Sequence, residues 1–242
     1  MAMERLDASL VKRGIVETRS QAESYIKLGL VNVNGRPVRK AGFFVSDNHK
    51  VELMGNDKYV SRAGLKLASI ATKFGLDFSD KTVLDVGSST GGFTDYALQH
   101  GAKKVIAVDV GTDQMHHSLR KDPRIELHEK TDIREFVIGP SFHVDVVVID
   151  VSFISLREIM PVIAKLSAKN TQIVAMVKPQ FEAGKDEINK GIIKNAKIRR
   201  DILKDFEVWV KKAFVVMAKA DSEVAGSKGN LERFYLLKSI RR

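Results

Sequence analysis

The chain has 242 residues and a hydrophobic content of 44%, enough for one α/β domain with a small additional unit. It contains no cysteine, which excludes disulfides, zinc–thiolate sites and a cysteine nucleophile. Its 40 basic residues outnumber the 30 acidic ones, and the net charge of +10 indicates a polyanionic partner. We find no apolar leader, no apolar run long enough to span a membrane and no histidine cluster. We therefore expect a soluble, cytoplasmic protein with no membrane partner and no metal.

Residues 1–54 form a basic unit of their own. The spacing of apolar residues over 4–11 predicts a first helix, and Thr18 predicts the N-cap of a second helix. An alternating stretch followed by Asn34-Gly35 predicts a β-hairpin. The sequence therefore predicts a small α+β domain over 1–54, joined by a linker over 55–60 to the rest of the chain.

Several residues of this unit carry the pattern of the S4 RNA-binding domain. They are Thr18-Arg19-Ser20-Gln21-Ala22, Ile26, Gly29, Val31 and Val33-Asn34-Gly35. The resemblance implies an RNA partner whose phosphates face a set of basic side chains, here Arg5, Arg19, Lys27, Arg36 and Arg39. The alternative is that these are solvated charges on a small folding module.

A strand, a glycine-rich turn and a helix are predicted consecutively over 83–99. Such a turn lets the backbone approach a ligand closely, and the helix N-terminus presents free N–H groups. Ser89 occupies the second glycine position of the dinucleotide fingerprint, which disfavours a nicotinamide cofactor. Asp85 suits S-adenosylmethionine instead, because its sulfonium and ammonium groups favour a nearby carboxylate. The alternative is an ordinary strand–helix turn.

Two further carboxylates follow predicted strands. Asp109 lies about 20 residues beyond the turn, where a carboxylate would bind the two ribose hydroxyls. Asp132 follows the next strand and would accept the adenine amino group. The residues predicted to bind the cofactor are Asp85, Gly87, Ser88, Ser89, Thr90, Gly91, Gly92, Phe93, Asp109 and Asp132.

Alternating strands and helices from residue 81 onward predict an α/β fold with a doubly wound, mostly parallel sheet of seven strands. The last strand is expected to be antiparallel, and we assign 61–242 to this domain. Ligands of such sheets bind at the carboxyl ends of the strands. Asp150 and Lys178 end two more predicted strands, so we expect them beside the cofactor carboxylates.

The methyl acceptor is inferred from the nucleophiles that the chain could activate. Methylation at pyrimidine C5 usually needs a cysteine, and exocyclic amines usually need Asn/Asp-Pro-Pro-Tyr/Phe where this chain has Asp150-Val151-Ser152-Phe153. A ribose hydroxyl needs a base or a polarising group, and a desolvated lysine can supply either. Lys178 would serve, with Lys66 beside it and with Asp150 and Glu232 orienting the two amines.

Lys66, Asp150, Lys178 and Glu232 resemble the Lys-Asp-Lys-Glu tetrad of the FtsJ/RrmJ-type RNA 2′-O-methyltransferases. The segments around them resemble the TlyA (hemolysin A) family; they cover 59–67, 87–95, 150–156, 177–185 and 229–232. The resemblance implies 2′-O-methylation of cytidine in ribosomal RNA or a ribosomal subunit, with S-adenosylmethionine as cofactor.

Within this tetrad we expect Lys178 to take the 2′-hydroxyl proton or to stabilise the oxyanion. Lys66 and Asp150 would position it, and Glu232 would hold Lys66. We also predict RNA contacts by Arg62 and Lys185, and a monomeric protein.

Two other classes of function are weighed against this one. A membrane-active hemolysin is disfavoured because the sequence has no spanning segment and no long amphipathic apolar helix. A non-catalytic RNA-binding or ribosome-assembly factor is disfavoured by the intact tetrad. The four tetrad residues would then be a set of structural ion pairs.

Overall fold

The computed structural model describes residues 3–16, 18–27, 29–54, 59–137, 139, 143–183, 193, 195–224, 226 and 230–240. The helices are α1 (Leu6–Lys12), α2 (Arg19–Lys27), α3 (Arg62–Phe74), α4 (Gly92–Gln99), α5 (Leu156–Leu166), α6 (Pro179–Glu182) and α7 (Ala196–Val210). The strands are β1 (Glu4–Arg5), β2 (Val31–Val33), β3 (Arg36–Pro37), β4 (Phe44–Val45), β5 (Val51–Leu53), β6 (Thr82–Val86), β7 (Lys104–Val108), β8 (Ile125–His128), β9 (Val146–Ile149), β10 (Gln172–Val177), β11 (Phe214–Asp221) and β12 (Arg233–Ser239).

Seven strands form the large sheet, in the order β11-β12-β10-β9-β6-β7-β8. The pairs from β10 to β8 are parallel, whereas β12 runs antiparallel to both of its neighbours. The predicted α/β fold, with a mostly parallel sheet of seven strands and an antiparallel last strand, is confirmed. The central strands are continuous apolar runs because helices cover both faces of the sheet.

Successive residues of each central strand enter two different hydrophobic cores. Val83 packs with α3 and α4 on one face, and Leu84 packs with α5 and α7 on the other. This alternation follows from the period of two along a β-strand. The two layers of helices therefore leave the carboxyl edge of the sheet as the place where loops meet.

The N-terminal domain combines α1 and α2 with a three-stranded sheet, β3-β2-β5, and a two-stranded ribbon, β1-β4. The predicted hairpin is present, and Asn34 and Gly35 both have positive φ, as a tight two-residue turn requires. The ribbon and β5 were not predicted. The first helix begins at Leu6 rather than residue 4, because Glu4 and Arg5 pair with β4.

Several strand ends differ by a residue or more from the sequence expectation, and β9, for example, ends at Ile149. β10 ends at Val177, because Pro179 begins the short helix α6 directly afterwards. The last strand begins at Arg233, so Glu232 lies just before it. Of the expected linker, Tyr59 is buried against Tyr96, while 55–58 lie outside the described residues. None of the helices in the described part of the chain has the length and apolar character that crossing a bilayer requires.

Candidate active site

A cavity of about 330 Å³ lies where β6, β7 and β9 end. Its lining includes Gly87, Ser89, Asp109, Gln114, Thr131, Asp132, Ile133, Asp150, Ser152 and Phe153. A second cavity of about 130 Å³ shares Gly87, Ser89, Asp150 and Ser152 with the first and adds Asp85, Ser88, Thr90, Phe93 and Lys178. The two cavities are therefore parts of one cleft at the carboxyl edge of the sheet.

The glycine-rich turn holds this cleft together through close backbone packing. Gly87 has φ +80°, and a Cβ there would lie 2.8 Å from the carbonyl oxygen of Asp150. A Cβ on Gly92 would collide with Ser61 Oγ and lie 2.7 Å from Ala63 Cβ. Because α3 crosses α4 at this point, Gly92 sets how close α3 comes to the turn.

Gly91 and Gly92 were predicted to contact the cofactor, but neither is among the described residues that line the cleft. A Cβ on Gly91 would lie 2.5 Å from Met115 Sδ and from Leu119 Cδ1. Both glycines are therefore accounted for by packing inside the protein. The other predicted residues of the turn, from Gly87 to Thr90 together with Phe93, do line the cleft.

Asp85 is buried at the end of β6 and faces the smaller cavity. Thr94 Oγ1 donates a 2.6 Å hydrogen bond to its Oδ2, while Oδ1 has no hydrogen-bond partner among the described residues. Burial raises the pKa of Asp85 to about 7. The hydroxyl of Ser88 is also buried without a partner in the described structure. These unsatisfied groups fit a ligand that carries an ammonium and a carboxylate, as S-adenosylmethionine does.

Asp109 and Asp132 lie on the wall of the larger cavity. Asp109 accepts hydrogen bonds from the backbone N–H groups of Ser89 (2.8 Å) and Gly111 (2.7 Å), which fix its orientation. Asp132 makes a two-pronged ion pair with Arg134, and this hydrogen bonding lowers the pKa of Asp132. Both carboxylates are held in place, but Asp132 shares its acceptor capacity with Arg134.

The tetrad residues form two ion pairs. Lys178 Nζ lies 2.6 Å from Asp150 Oδ1 and donates a 2.7 Å hydrogen bond to Ser152 Oγ. Lys66 Nζ lies 2.6 Å from Glu232 Oε2, and both of these side chains are buried. No ion pair joins Lys66 to Asp150 among the described residues. Asp150 is thus paired with Lys178 alone among the described residues, and Glu232 is paired with Lys66, so each carboxylate contacts one of the two amines.

Strand register explains why the two ion pairs are neighbours. Val177 is paired with Arg233, so Lys178 and Glu232 are the next residues across β10 and β12. Asp150 follows directly after β9, the other neighbour of β10. Lys66 reaches the same place from α3, and all four residues therefore gather at the ends of three adjacent strands.

Sequence reasoning missed Ser152 and Glu182. Glu182 accepts hydrogen bonds from the Ser155 hydroxyl (2.6 Å) and the Leu156 N–H (2.7 Å), at the N-terminus of α5. Its burial raises its pKa. Glu182 therefore anchors the end of the 150–155 loop, which begins with Asp150. No local pattern could have revealed this, because the two partners lie on different elements.

Among the predicted RNA-binding residues, Arg5 and Arg19 both bind the buried carboxylate of Asp7, at 2.9 and 2.8 Å. Arg36 and Arg39 are exposed, and Arg62 is partly exposed in the first turn of α3. Lys185 and the side chain of Lys27 lie outside the described residues.

Comparison with known proteins identifies both domains. The FtsJ-like methyltransferase profile matches residues 59–239, and the S4 domain profile matches residues 4–51. Hemolysin A of Brachyspira hyodysenteriae is 40% identical over 233 residues, which cover 94% of this chain and 97% of that protein.

The 16S/23S rRNA (cytidine-2′-O)-methyltransferase TlyA of Mycobacterium tuberculosis H37Rv is 36% identical, with 97% of this chain and 90% of that protein covered. A solved Streptococcus thermophilus structure, described as a hemolysin, matches with a TM-score of 0.72 and 40% identity, covering 99% of this chain and 89% of that chain. The chain therefore belongs to the TlyA (hemolysin A) family, with an S4 domain in front of an FtsJ-like methyltransferase domain.

Proposed function

We propose that this protein methylates the ribose 2′-hydroxyl of a cytidine in ribosomal RNA. The observation that carries the proposal is the pair of ion pairs, Lys178–Asp150 and Lys66–Glu232, at adjacent strand ends beside the cleft. The TlyA relative, which is named for this reaction on 16S and 23S rRNA, supports the same substrate. The chain has no cysteine, which argues against methylation at pyrimidine C5.

The cofactor is S-adenosylmethionine, which supplies a methyl group activated by its sulfonium. In this proposal Asp85 and Ser88 bind its amino-acid end, because both carry buried polar atoms that lack a partner in the described structure. Asp109 binds the ribose hydroxyls from the wall of the larger cavity, and Asp132 and Ile133 line the adenine end.

Lys178 acts on the 2′-hydroxyl. Asp150 and Ser152 fix its amine at the wall of the smaller cavity. In its ammonium form Lys178 would donate a hydrogen bond to the developing oxyanion. If Lys178 instead accepts the proton, it must first be neutral. Lys66 and Glu232 form the adjacent pair and keep the site polar and rigid.

Phe153 offers a surface for the target base. Phe153 lines the cleft and is 92% exposed, and its ring lies next to that of Phe181, with centroids 5.2 Å apart. Its φ of +65° is unfavourable for a non-glycine residue, so the surrounding loop imposes this conformation. We place the cytosine against this ring while the ribose meets Lys178.

The test is transfer of tritium from labelled S-adenosylmethionine to ribosomal RNA, both naked and in isolated subunits, followed by mapping of 2′-O-methyl positions. Lys178→Ala should abolish transfer and leave cofactor binding measurable. Lys165→Ala, which changes an exposed lysine of α5, is the matched control and should transfer normally. Retained turnover in Lys178→Ala would refute its role. No transfer by the unmodified chain to either RNA form would refute the function.

The pH dependence of the single-turnover rate separates the two roles of Lys178. If Lys178 is the base, the rate rises with pH until the amine is neutral. If its ammonium stabilises the oxyanion, the rate falls as that proton is lost at high pH. The same series on the naked RNA and on the subunit controls for changes in the substrate.

We propose that the two domains have separate tasks. Residues 1–54 bind RNA, residues 55–60 form the linker, and residues 61–242 catalyse methyl transfer. The matched ranges of the two profiles support these boundaries. We further propose that the protein acts as a monomer in the cytoplasm. The monomer is proposed because all four tetrad residues come from one chain, and the cytoplasm because the proposed substrate is ribosomal RNA.

Dye release from liposomes tests the membrane activity for which some relatives are named. We expect no dye release.

A further inference from the structure

Three large apolar residues of the N-terminal domain are exposed: Met3, Phe43 and Phe44. The Phe44 side chain is 54% exposed although it belongs to a strand. Single exposed apolar side chains are common on any surface, so the surroundings of Phe44 decide whether it can bind a ligand. No role has been assigned above to these three residues.

Strand pairing places Phe44 beside Arg5. The two residues are directly opposite each other in the β1–β4 ribbon, and both are exposed while Val45 is fully buried. Opposite residues of an antiparallel pair project to the same face, with Cβ atoms about 5 Å apart. A Cβ on Gly42 would lie 3.4 Å from Arg5 Nη1, so the guanidinium extends over the turn that precedes Phe44.

A buried carboxylate fixes the charges next to this ring. Asp7 accepts two hydrogen bonds from Arg5, from Nε at 3.0 Å and from Nη2 at 2.9 Å, and one from Arg19 at 2.8 Å. Glu23 also attracts Arg5 electrostatically, and Asp7 is shared by the two arginine residues. Their side chains are 46% and 59% exposed, so further N–H donors face solvent. This arrangement suits a phosphate.

We propose that Phe44 is a stacking site for an unpaired RNA base whose neighbouring phosphate is bound by Arg5 and Arg19. An aromatic face beside fixed guanidinium groups matches the two chemical features of a single-stranded nucleotide, its π-face and its anion. The inference rests on the proposed function in that RNA is the partner, and it adds a binding site made of residues outside the tetrad. The cationic neighbours of the ring favour a nucleic acid over an apolar protein surface.

The test measures the affinity of the full chain for a fluorescein-labelled single-stranded oligoribonucleotide and for its abasic analogue, by fluorescence polarisation over a salt series. Phe44→Ala should weaken binding of the oligoribonucleotide by roughly 5- to 150-fold, the range of base–aromatic stacking. It should leave the abasic affinity unchanged. Phe44→Trp should retain tight binding, and Phe44→Leu should not, because it keeps apolar surface but has no aromatic face.

Two controls separate stacking from charge and from folding. Arg5→Ala should reduce the slope of log affinity against log salt by about 0.7, the value for one single-strand phosphate contact, whereas Phe44→Ala should keep the slope. Met217→Ala removes a side chain that is similarly exposed, at 53%, on β11 and should bind RNA normally. Thermal unfolding of each variant shows that the fold is retained.

Equal binding by Phe44→Ala and the unmodified chain overturns the inference, as does equal binding of intact and abasic RNA or no binding at all. A concentration-dependent dimer that Phe44→Ala abolishes, with RNA affinity unchanged, assigns Phe44 to self-association and also overturns it. If the Phe44 effect is seen but no methyl is transferred to ribosomal RNA, the proposed function fails while this site stands. If methyl transfer proceeds and the Phe44 effect is missing, only this site fails.

Discussion

Binding of S-adenosylmethionine should release a proton from Asp85. Burial raises the pKa of Asp85 to about 7, and Thr94 is its only hydrogen-bond donor in the described part of the chain. A cation beside the unpartnered Oδ1 favours the ionised form and lowers this pKa. Below about pH 7 the carboxyl must therefore lose its proton when the cofactor binds, and the affinity must fall as pH falls.

The size of the effect follows from the fraction of ionised Asp85. With a pKa of about 7, that fraction is about one tenth at pH 6 and about nine tenths at pH 8. The dissociation constant should thus be about tenfold larger at pH 6 than at pH 8, which is about 1.4 kcal/mol of binding free energy. The protonation of Asp85 has the opposite effect on folding, because the neutral form is the one that the folded protein favours. Its contribution to stability is fully present below the unfolded pKa near 4 and is lost as pH rises through about 7.

Isothermal titration calorimetry measures this directly. Titrations at about pH 6 and about pH 8, each in two buffers of different ionisation enthalpy, give the number of protons released per cofactor bound. We expect close to one proton at the lower pH and close to none at the higher. Asp85→Asn should bind more weakly and without pH dependence. Asp132→Asn is the control and should keep the dependence, since the pKa of Asp132 is lowered rather than raised.

A pH-independent affinity in the unmodified chain, or an equal pH dependence in Asp85→Asn, would refute this reasoning. Either result would mean that no cationic group of the cofactor approaches this carboxylate. The cofactor orientation proposed above would then have to be reversed or abandoned.

Three further predictions concern the framework of the protein. Glu182→Ala leaves the Leu156 N–H without its carboxylate, so urea unfolding should show a loss of about 1–3 kcal/mol together with a lower rate of methyl transfer; unchanged stability would contradict the capping role. Hydrogen bonding to arginine lowers the pKa of Asp7 to about 2. The ionised carboxylate should therefore contribute at most about 2 kcal/mol to the free energy of unfolding, and this is lost as pH falls from about 4 to about 2. Asp7→Asn should remove this acid sensitivity, as measured by circular dichroism. Gly92→Ala should lower the free energy of unfolding by about 1–3 kcal/mol, because the added methyl group forces α3 away from α4. Gly139→Ala is the control and should be neutral, since its Cβ would meet nothing within 4 Å. Equal midpoints of thermal unfolding for the two variants would argue against the close crossing.

Much of the fold was readable from the sequence because its signals are local. Buried parallel strands are short continuous apolar runs, and Asn34-Gly35 specifies its hairpin through backbone preference alone. The strand–turn–helix around Asp85 is equally local. Asp150 and Lys178 were predicted from their positions at strand ends, whereas Lys66 and Glu232 joined them through the resemblance to the FtsJ/RrmJ-type tetrad. The roles of all four stay predictions until turnover is measured.

The partners of these residues could not be read in the same way. The sequence does not say that Asp150 pairs with Lys178 rather than with Lys66, because the choice depends on the register of β9 and β10 and on the direction of each side chain. The glycines of the turn show the same limit. The cofactor contact of Gly92 stays a prediction, and its place at the crossing of α3 and α4 could not be read from the sequence. Only the position of α3 reveals what a Cβ on Gly92 would meet.

Residue type and backbone preference act over a few neighbours, so the order of strands, turns and helices, and with it the place of the cleft, was contained in the chain itself. Contacts such as Glu182 with Ser155, or Arg5 beside Phe44, join segments that are independent until the sheet and the ribbon close. Their geometry is set by the packing of whole layers. The tertiary structure therefore decided which charges are neutralised, which buried polar atoms have no hydrogen-bond partner in the described structure and which aromatic rings face solvent.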